Sequence, residues 1–284
     1  MTTIWAWADL GDNCLEKYNI KQYWLLMSVL SVKKFNPEFK RIFFVDKKTY
    51  SFLNERKWVE LWDEVKIIDY ADTEYGNLYN NHIYAWPKIY SYGLIDDDII
   101  ILDIDIVFTK PFVIPDLNKI HGKVYNHVNY FSVKNTKTHI RHKWPYIDMI
   151  QNQLYDDDII DNKMEQDTIC LQGSPIYCPR KYTKILRDYL MDNIQNVETY
   201  FNGLAPFDTF QSIEEEFPLS QFARMNGGIG ILDTNMYRHG YTYMGKFNIT
   251  EGFEKPEKIL GINVYDDYLK KYEQNYPKLL QQNM

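Results

Sequence analysis

Two carboxylates stand two residues apart in Leu102-Asp103-Ile104-Asp105-Ile106-Val107, directly after the apolar run Ile99-Ile100-Ile101. Side chains of an extended strand alternate between its faces, so Asp103 and Asp105 are expected on one side with Ile104 turned into the core. Held together at the end of a buried strand, two carboxylates repel, and one must take up a proton unless a cation intervenes. Hard carboxylate oxygens suit Mn²⁺ or Mg²⁺, which complete their shells with water and substrate phosphates. A bare Asp-x-Asp is often a solvated turn. Its position here agrees with a site, because ligands of open α/β sheets bind outside the carboxyl ends of the strands.

The elements that must position this pair follow an alternating pattern. Thr3 to Ala8 reads as a strand, and Gln22 to Phe35 as a helix that stops before Pro37. Arg41 to Val45 is a second strand, Lys47 to Glu60 a helix, Val65 to Ile68 a third strand and Asn81 to Tyr92 a further helix. Ile99 to Asp103, rich in β-branched residues, fits a central parallel strand covered on both faces. Strands alternating with crossover helices predict an α/β domain with a largely parallel sheet. Beyond Pro115 the pattern is less regular: helices are expected over Arg141–Leu154 and Arg180–Asn193, and short strands over Thr168–Tyr177 and Gly228–Leu232. Asn226-Gly227-Gly228-Ile229-Gly230 is a turn into the last of these. Tyr265 to Leu280 forms an amphipathic helix, expected to dock on the body; its Lys270, Lys271 and Lys278 make membrane or partner contact the alternative. No linker or long repeat divides the chain, so 1–284 reads as one domain: a binding half over 1–115, a second half over 116–262 and a C-terminal helix over 263–284.

Composition narrows the partners. The 284 residues carry 32 Lys+Arg against 39 Asp+Glu, a formal net charge of −7, which disfavours non-specific nucleic-acid binding. The aromatic share of 16% argues against disorder. No stretch approaches the ~20 apolar residues of a membrane span, and the start, Met1-Thr2-Thr3-Ile4-Trp5, lacks the pattern of a signal peptide. Cys14, Cys170 and Cys178 are too few and too irregular for a disulfide framework or zinc site, which suits a reducing cytosol. His82, His121, His127, His139 and His142 have no metal spacing and read as structural.

Trp86-Pro87-Lys88-Ile89-Tyr90-Ser91-Tyr92-Gly93-Leu94-Ile95, then Asp96 to Asp98, then Ile101 to Val107, resembles the core signature of nucleotide-sugar glycosyltransferases of the GT-A fold. The likeness is to the group containing glycogenin and bacterial lipopolysaccharide galactosyltransferases, known as family 8, and it covers residues 1 to 115 best. It implies a Rossmann-like α/β domain: a mixed, mainly parallel sheet flanked by helices, with an irregular C-terminal half. It further implies that Asp105 chelates the metal, that Asp103 contacts metal and donor ribose, and that Lys88 faces the donor diphosphate or sugar. Ala6 and Trp7 would hold the uracil base, with the backbone at Ile104 beside the donor; a core aromatic is the other reading of Trp7. In that family a late histidine completes the metal site, which implies His239 in Tyr237-Arg238-His239-Gly240, and Lys246 in Met244-Gly245-Lys246 follows as a donor contact. Gln166 and Asp167 resemble the acidic-glutamine block near the transferred sugar, and Gln172 and Gly173 the glycine-containing strand beside the donor. The two occur in the reverse of the family's order. Glu214-Glu215-Glu216 could serve instead as the acidic block; a charge preference at a helix N-terminus is the other reading.

These features predict a metal-dependent hexosyltransferase moving a sugar from a UDP-sugar to a glycan, lipid-linked or protein acceptor. The resemblance implies retention of anomeric configuration. Mn²⁺ or Mg²⁺ would stabilise charge developing on the leaving diphosphate, and Lys88 would add a point charge. The expected location is the cytoplasm or the cytoplasmic face of its membrane. Two alternatives reuse the same residues. A haloacid-dehalogenase-like phosphatase would use Asp103 as nucleophile and Asp105 as acid/base, but its motif ends the first strand of its domain, and Phe108-Thr109-Lys110-Pro111 replaces its glycine turn. A glycan-binding protein without catalysis would rely on the 24 tyrosines, but it has no need of Asp103, Asp105 and Lys88 together.

Overall fold

The computed structural model describes residues 1–9, 15, 19–79, 86–126, 152–159, 169–201 and 214–239. In its main sheet β1 (Thr2–Trp7) pairs in parallel with β2 (Lys40–Val45) on one side and β4 (Ile99–Ile101) on the other. β2 in turn pairs in parallel with β3 (Glu64–Ile67). Beyond β4 the sheet continues through β9 (Ile176–Cys178) and β6 (Ile120–Gly122) to β10 (Ile229–Ile231), giving the seven-stranded order β10-β6-β9-β4-β1-β2-β3. Only β9 runs against its neighbours, so the sheet is mixed and mainly parallel. Two small antiparallel pairs flank it: β5 (Ile106–Phe108) with β11 (Tyr237–His239), and β7 (Val124–Asn126) with β8 (Ile169–Leu171).

Alternation along the strands divides the core in two. Ile4, Ile42, Phe44, Ile99 and Ile101 face one layer, with α4 (Trp86–Ser91), α5 (Arg180–Tyr200) and α6 (Phe217–Met225) packed on it. Trp5, Phe43, Val45 and Ile100 face the other, against α1 (Asn19–Phe35) and α2 (Lys47–Glu55). Both faces of the central strands are therefore buried, as a parallel sheet with crossover helices requires. α1 is tied to the sheet by polar groups as well: the Trp5 indole N–H donates to Ser28 Oγ at 2.9 Å, and Ser31 Oγ accepts from the Phe108 amide at 2.9 Å. Asn36 ends α1 and accepts from the Phe112 amide at 2.8 Å. The aromatic excess is used in packing. Trp86 stands edge-on to Tyr70 and Tyr90, which anchors the short α4. No helix among the described residues is long and apolar enough to cross a membrane.

Several boundaries differ from the expectations. The helix expected to reach Glu60 ends at Glu55, because Lys57 takes a left-handed conformation (φ 59°) that no helix continues through; Trp58–Leu61 then forms a separate 3₁₀ turn. The helix expected from Asn81 begins, among the described residues, at Trp86 and tightens into a 3₁₀ turn over Tyr92–Leu94. Thr168–Tyr177 is two strands rather than one, split by a bend over 173–175. α5 runs on to Tyr200 because Ile194 and Val197 continue its buried stripe. β4 ends at Ile101, two residues short of the expected strand. A small α3 (Gly76–Tyr79) precedes α4. Of the helix expected over Arg141–Leu154 only the last residues are described, and these are helical. The C-terminal helix lies outside the described residues.

Candidate functional site

The chain leaves β1 through α1 to β2 on one side, while β4 lies on the other, so a topological switch point falls between β1 and β4. In open α/β sheets that is where a crevice forms outside the carboxyl strand ends. Trp7 ends β1 there and Asp103 follows β4. Asp46, after β2, caps α2 by accepting from the Thr49 amide at 2.7 Å, and its other oxygen accepts from the Asp9 amide at 2.7 Å. One buried carboxylate thus fixes the chain leaving β1. Trp7 and Ala6 are half-buried, and the Trp7 indole nitrogen has no hydrogen-bond partner among the described residues. Trp7 also packs on the core layer beneath α1, so the core reading of this ring holds in part.

The two aspartates lie on a turn, not on a strand. The Ile106 amide closes the turn onto the Asp103 carbonyl at 3.1 Å, while Leu102 and Ile104 are buried in the core. Ile104 is anchored inward as expected, while Asp103 meets Lys88 and Asp105 meets His239. The Asp103 amide donates to Ser174 Oγ at 2.7 Å, tying the turn to the 173–175 bend. Pairing of β5 with β11 sets His239 opposite Ile106 and so beside Asp105, whose Oδ2 is 3.5 Å from His239 Nδ1. On the far side of the imidazole, Gln172 Nε2 is 3.2 Å from His239 Nε2, and Gln172 Oε1 is buried without a hydrogen-bond partner among the described residues.

Lys88 forms the floor of the crevice. It is 7% exposed, and three oxygens surround its ammonium: Glu215 Oε1 at 2.7 Å, Asp103 Oδ1 at 3.0 Å and the Gly173 carbonyl at 3.2 Å. An ammonium has three donors, so these partners can use all of them. Burial alone would push Lys88 down; the Asp103 and Glu215 carboxylates outweigh it and hold the ammonium well above lysine's ordinary value. A Cβ at Gly173 would come 2.5 Å from Glu215 Oε1, so a larger residue there would shift the Glu215 carboxylate.

Glu214, Glu215 and Glu216 occupy a wide helical turn ahead of α6 and are all buried. Glu216 accepts from the Tyr125 hydroxyl and from the Gly173 amide, the latter at 3.3 Å. Burial, with the Glu215 charge added, pushes its carboxyl up to about 8 against those two hydrogen bonds. Glu214 is raised by burial and by Glu198 on α5, so this carboxyl pair retains a proton well above the usual carboxylate range.

Lys88 thus meets Asp103, Gly173 and Glu215, and His239 meets Asp105 and Gln172, two clusters joined through the 103–105 turn and the adjacent Gln172 and Gly173; Ala6 and Trp7 end the neighbouring β1, and Ile104 is buried in the core. Gln166, Asp167 and Lys246 lie outside the described residues. Among the described residues, Glu215 and Glu216 of the other acidic block reach Lys88 and the Gly173 amide, while Glu214 pairs with Glu198. The sequence reading missed Ser174 and Tyr125 as contributors. Ser174 adjoins Gly173 and was within view; nothing local marks Tyr125. His121 is structural as expected, its ring within 2.6 Å of the Asp116 carbonyl.

Asp105 and His239 are the residues best placed to hold a metal ion. The Asp105 carboxylate is a hard donor of the kind Mn²⁺ or Mg²⁺ prefers, with the His239 imidazole as a nitrogen donor beside it. Asp103 is engaged by Lys88, and among the described residues no group of three or more His, Cys, Asp or Glu could hold an ion unaided.

No protein-family model and no curated protein sequence matches this chain. Among solved structures it is similar to the galactosyltransferase LgtC in complex with donor and acceptor sugar analogues, at 13% identity and a TM-score of 0.39 over 81% of this chain and 73% of that one. It is also similar to the PaToxG glycosyltransferase (18% identity, TM-score 0.39, 78% and 69% covered). A third is mouse xyloside xylosyltransferase 1 in its apo form (12%, 0.40, 82% and 84%). Likenesses of this size do not say what this chain binds or does.

Proposed function

We propose that this chain is a metal-dependent glycosyltransferase that moves a sugar from a UDP-sugar to a glycan, lipid-linked or protein acceptor, with retention at the anomeric carbon. The observation that carries the proposal is the meeting of Asp103, Asp105 and His239 at the carboxyl-edge switch point, above a buried Lys88. Asp105 and His239, with Asp103, would hold a divalent ion, which supplies Lewis-acid stabilisation of the charge developing on the departing diphosphate. Trp7, half-buried at the end of β1 with the Lys21 ammonium over its ring, is the aromatic residue nearest in the sheet to where a base would lie. Asp103, whose side chain is the more exposed of the two carboxylates on Lys88, presents an oxygen that can accept from a sugar hydroxyl. The Ser174 bond holds the Asp103 backbone against movement, which preserves the reacting geometry. The phosphatase alternative is disfavoured by position, since the motif follows the fourth strand, β4, and leads into β5 instead of a helix.

Asp105→Asn tests the assignment. Metal-dependent UDP binding is expected to fall at least ~10-fold, as loss of a charged metal ligand implies. A variant that keeps nucleotide affinity would refute it, and a wild type that binds glycan but no nucleotide would identify a binding protein.

A further inference from the structure

We propose that Glu215 is a positioning residue that sets how readily Asp103 engages the divalent ion, by holding the Lys88 ammonium when Asp103 turns away from it. The inference rests on the transferase reading and deepens it. Lys88 is shared between two carboxylates in unlike settings. Glu215 is nearer, at 2.7 Å, with its side chain 6% exposed; Asp103 is at 3.0 Å with its side chain 41% exposed on the crevice side. Of the two, only Asp103 is free to exchange its protein partner for a ligand in the crevice. When it does, Lys88 keeps Glu215 and the Gly173 carbonyl, so no buried charge is left uncompensated. Gly173 is part of the arrangement, because any side chain there would displace the Glu215 carboxylate.

A neutral residue at 215 leaves Asp103 as the one carboxylate paired with Lys88 among the described residues, and Asp103 then becomes the harder ligand to recruit. Lys88 in this account acts through Asp103 and not by touching the donor. A lysine whose role is to contact the donor diphosphate predicts a different pattern: Glu215 would be incidental to metal binding.

Four proteins separate these cases: wild type, Glu215→Gln, Lys88→Met, and the double variant. Mn²⁺ binding without nucleotide is read by the free-ion electron paramagnetic resonance signal, and folding by thermal melting. Glu215→Gln is expected to weaken Mn²⁺ binding ~10-fold or more, the usual scale for residues that orient a metal ligand. The double variant, which frees Asp103 of its competing cation, is expected to bind Mn²⁺ at least as tightly as wild type. Lys88→Met alone is expected to lower the melting temperature by stranding Glu215, and Glu215→Gln in that background to restore it. Wild-type Mn²⁺ affinity in Glu215→Gln would overturn the proposal while leaving the transferase reading intact. So would a double variant as weak as Glu215→Gln. Absence of Mn²⁺ binding to the wild type would overturn both, and the melting cycle would still report whether Lys88 and Glu215 are coupled.

Discussion

Replacing Glu216 by Gln is expected to flatten the fall in stability between mildly acidic and alkaline pH. The Glu216 carboxyl is pushed from an ordinary 4.5 to about 8 in the folded chain by burial and by the Glu215 charge. A raised carboxyl binds its proton more tightly when folded, so unfolding releases a proton wherever the free carboxyl is ionised. Its contribution is therefore fully present below about pH 4.5 and is lost as pH rises towards 8. A difference of about 3.5 units, at about 1.4 kcal/mol each, amounts to about 5 kcal/mol across that window. Glu214, raised by burial and by Glu198, adds to the same trend, so the informative quantity is the difference between variant and wild type. Glutamine keeps a carbonyl oxygen to accept from the Gly173 amide or the Tyr125 hydroxyl, and it cannot ionise. Urea unfolding midpoints at pH 5, 6.5 and 8 read the effect. The variant is expected to gain on the wild type steadily as pH rises. Parallel pH profiles would refute the reasoning, because they would mean that Glu216 is already charged in the folded protein at the lowest pH.

Ser174→Ala removes the acceptor for the Asp103 amide. A buried donor left unmet costs about 1–3 kcal/mol, so a lower denaturation midpoint and weaker Mn²⁺-dependent UDP binding are expected together. Gly173→Ala forces a Cβ to within 2.5 Å of Glu215 Oε1. Displacement of that carboxylate by even a fraction of an ångström is expected to cut UDP-sugar turnover by up to ~100-fold, measured as UDP release.

The strands were readable because their chemistry is local. Ile4, Phe43 and Ile100 stand in short β-branched and aromatic runs that suit a sheet buried on both faces, and that is how they are used. Asp103 and Asp105 were conspicuous for the opposite reason, as charges set into an apolar run. The turn that carries them was not, since Ile104 and Ile106 keep a period of two and only the hydrogen bond from the Ile106 amide to the Asp103 carbonyl breaks the extended form. Glu214–Glu216 shows the limit most clearly. Three consecutive acids read either as the sugar-side acidic block or as a charge preference at a helix start, and neither reading foretells their burial with Lys88, Tyr125 and Glu198, all distant in sequence. The end of α5 was missed because Asn193, Gln195 and Asn196 obscure the buried Ile194 and Val197 beside them. The break after Glu55 follows from the backbone angle of Lys57, which no side-chain pattern announces.

Calorimetric titration of UDP into the purified protein, once with Mn²⁺ and once with excess chelator, tests the central claim most directly. Saturable binding that requires Mn²⁺ is the predicted result. Equal affinity in both conditions, or no heat in either, would contradict a nucleotide site built on Asp103, Asp105 and His239.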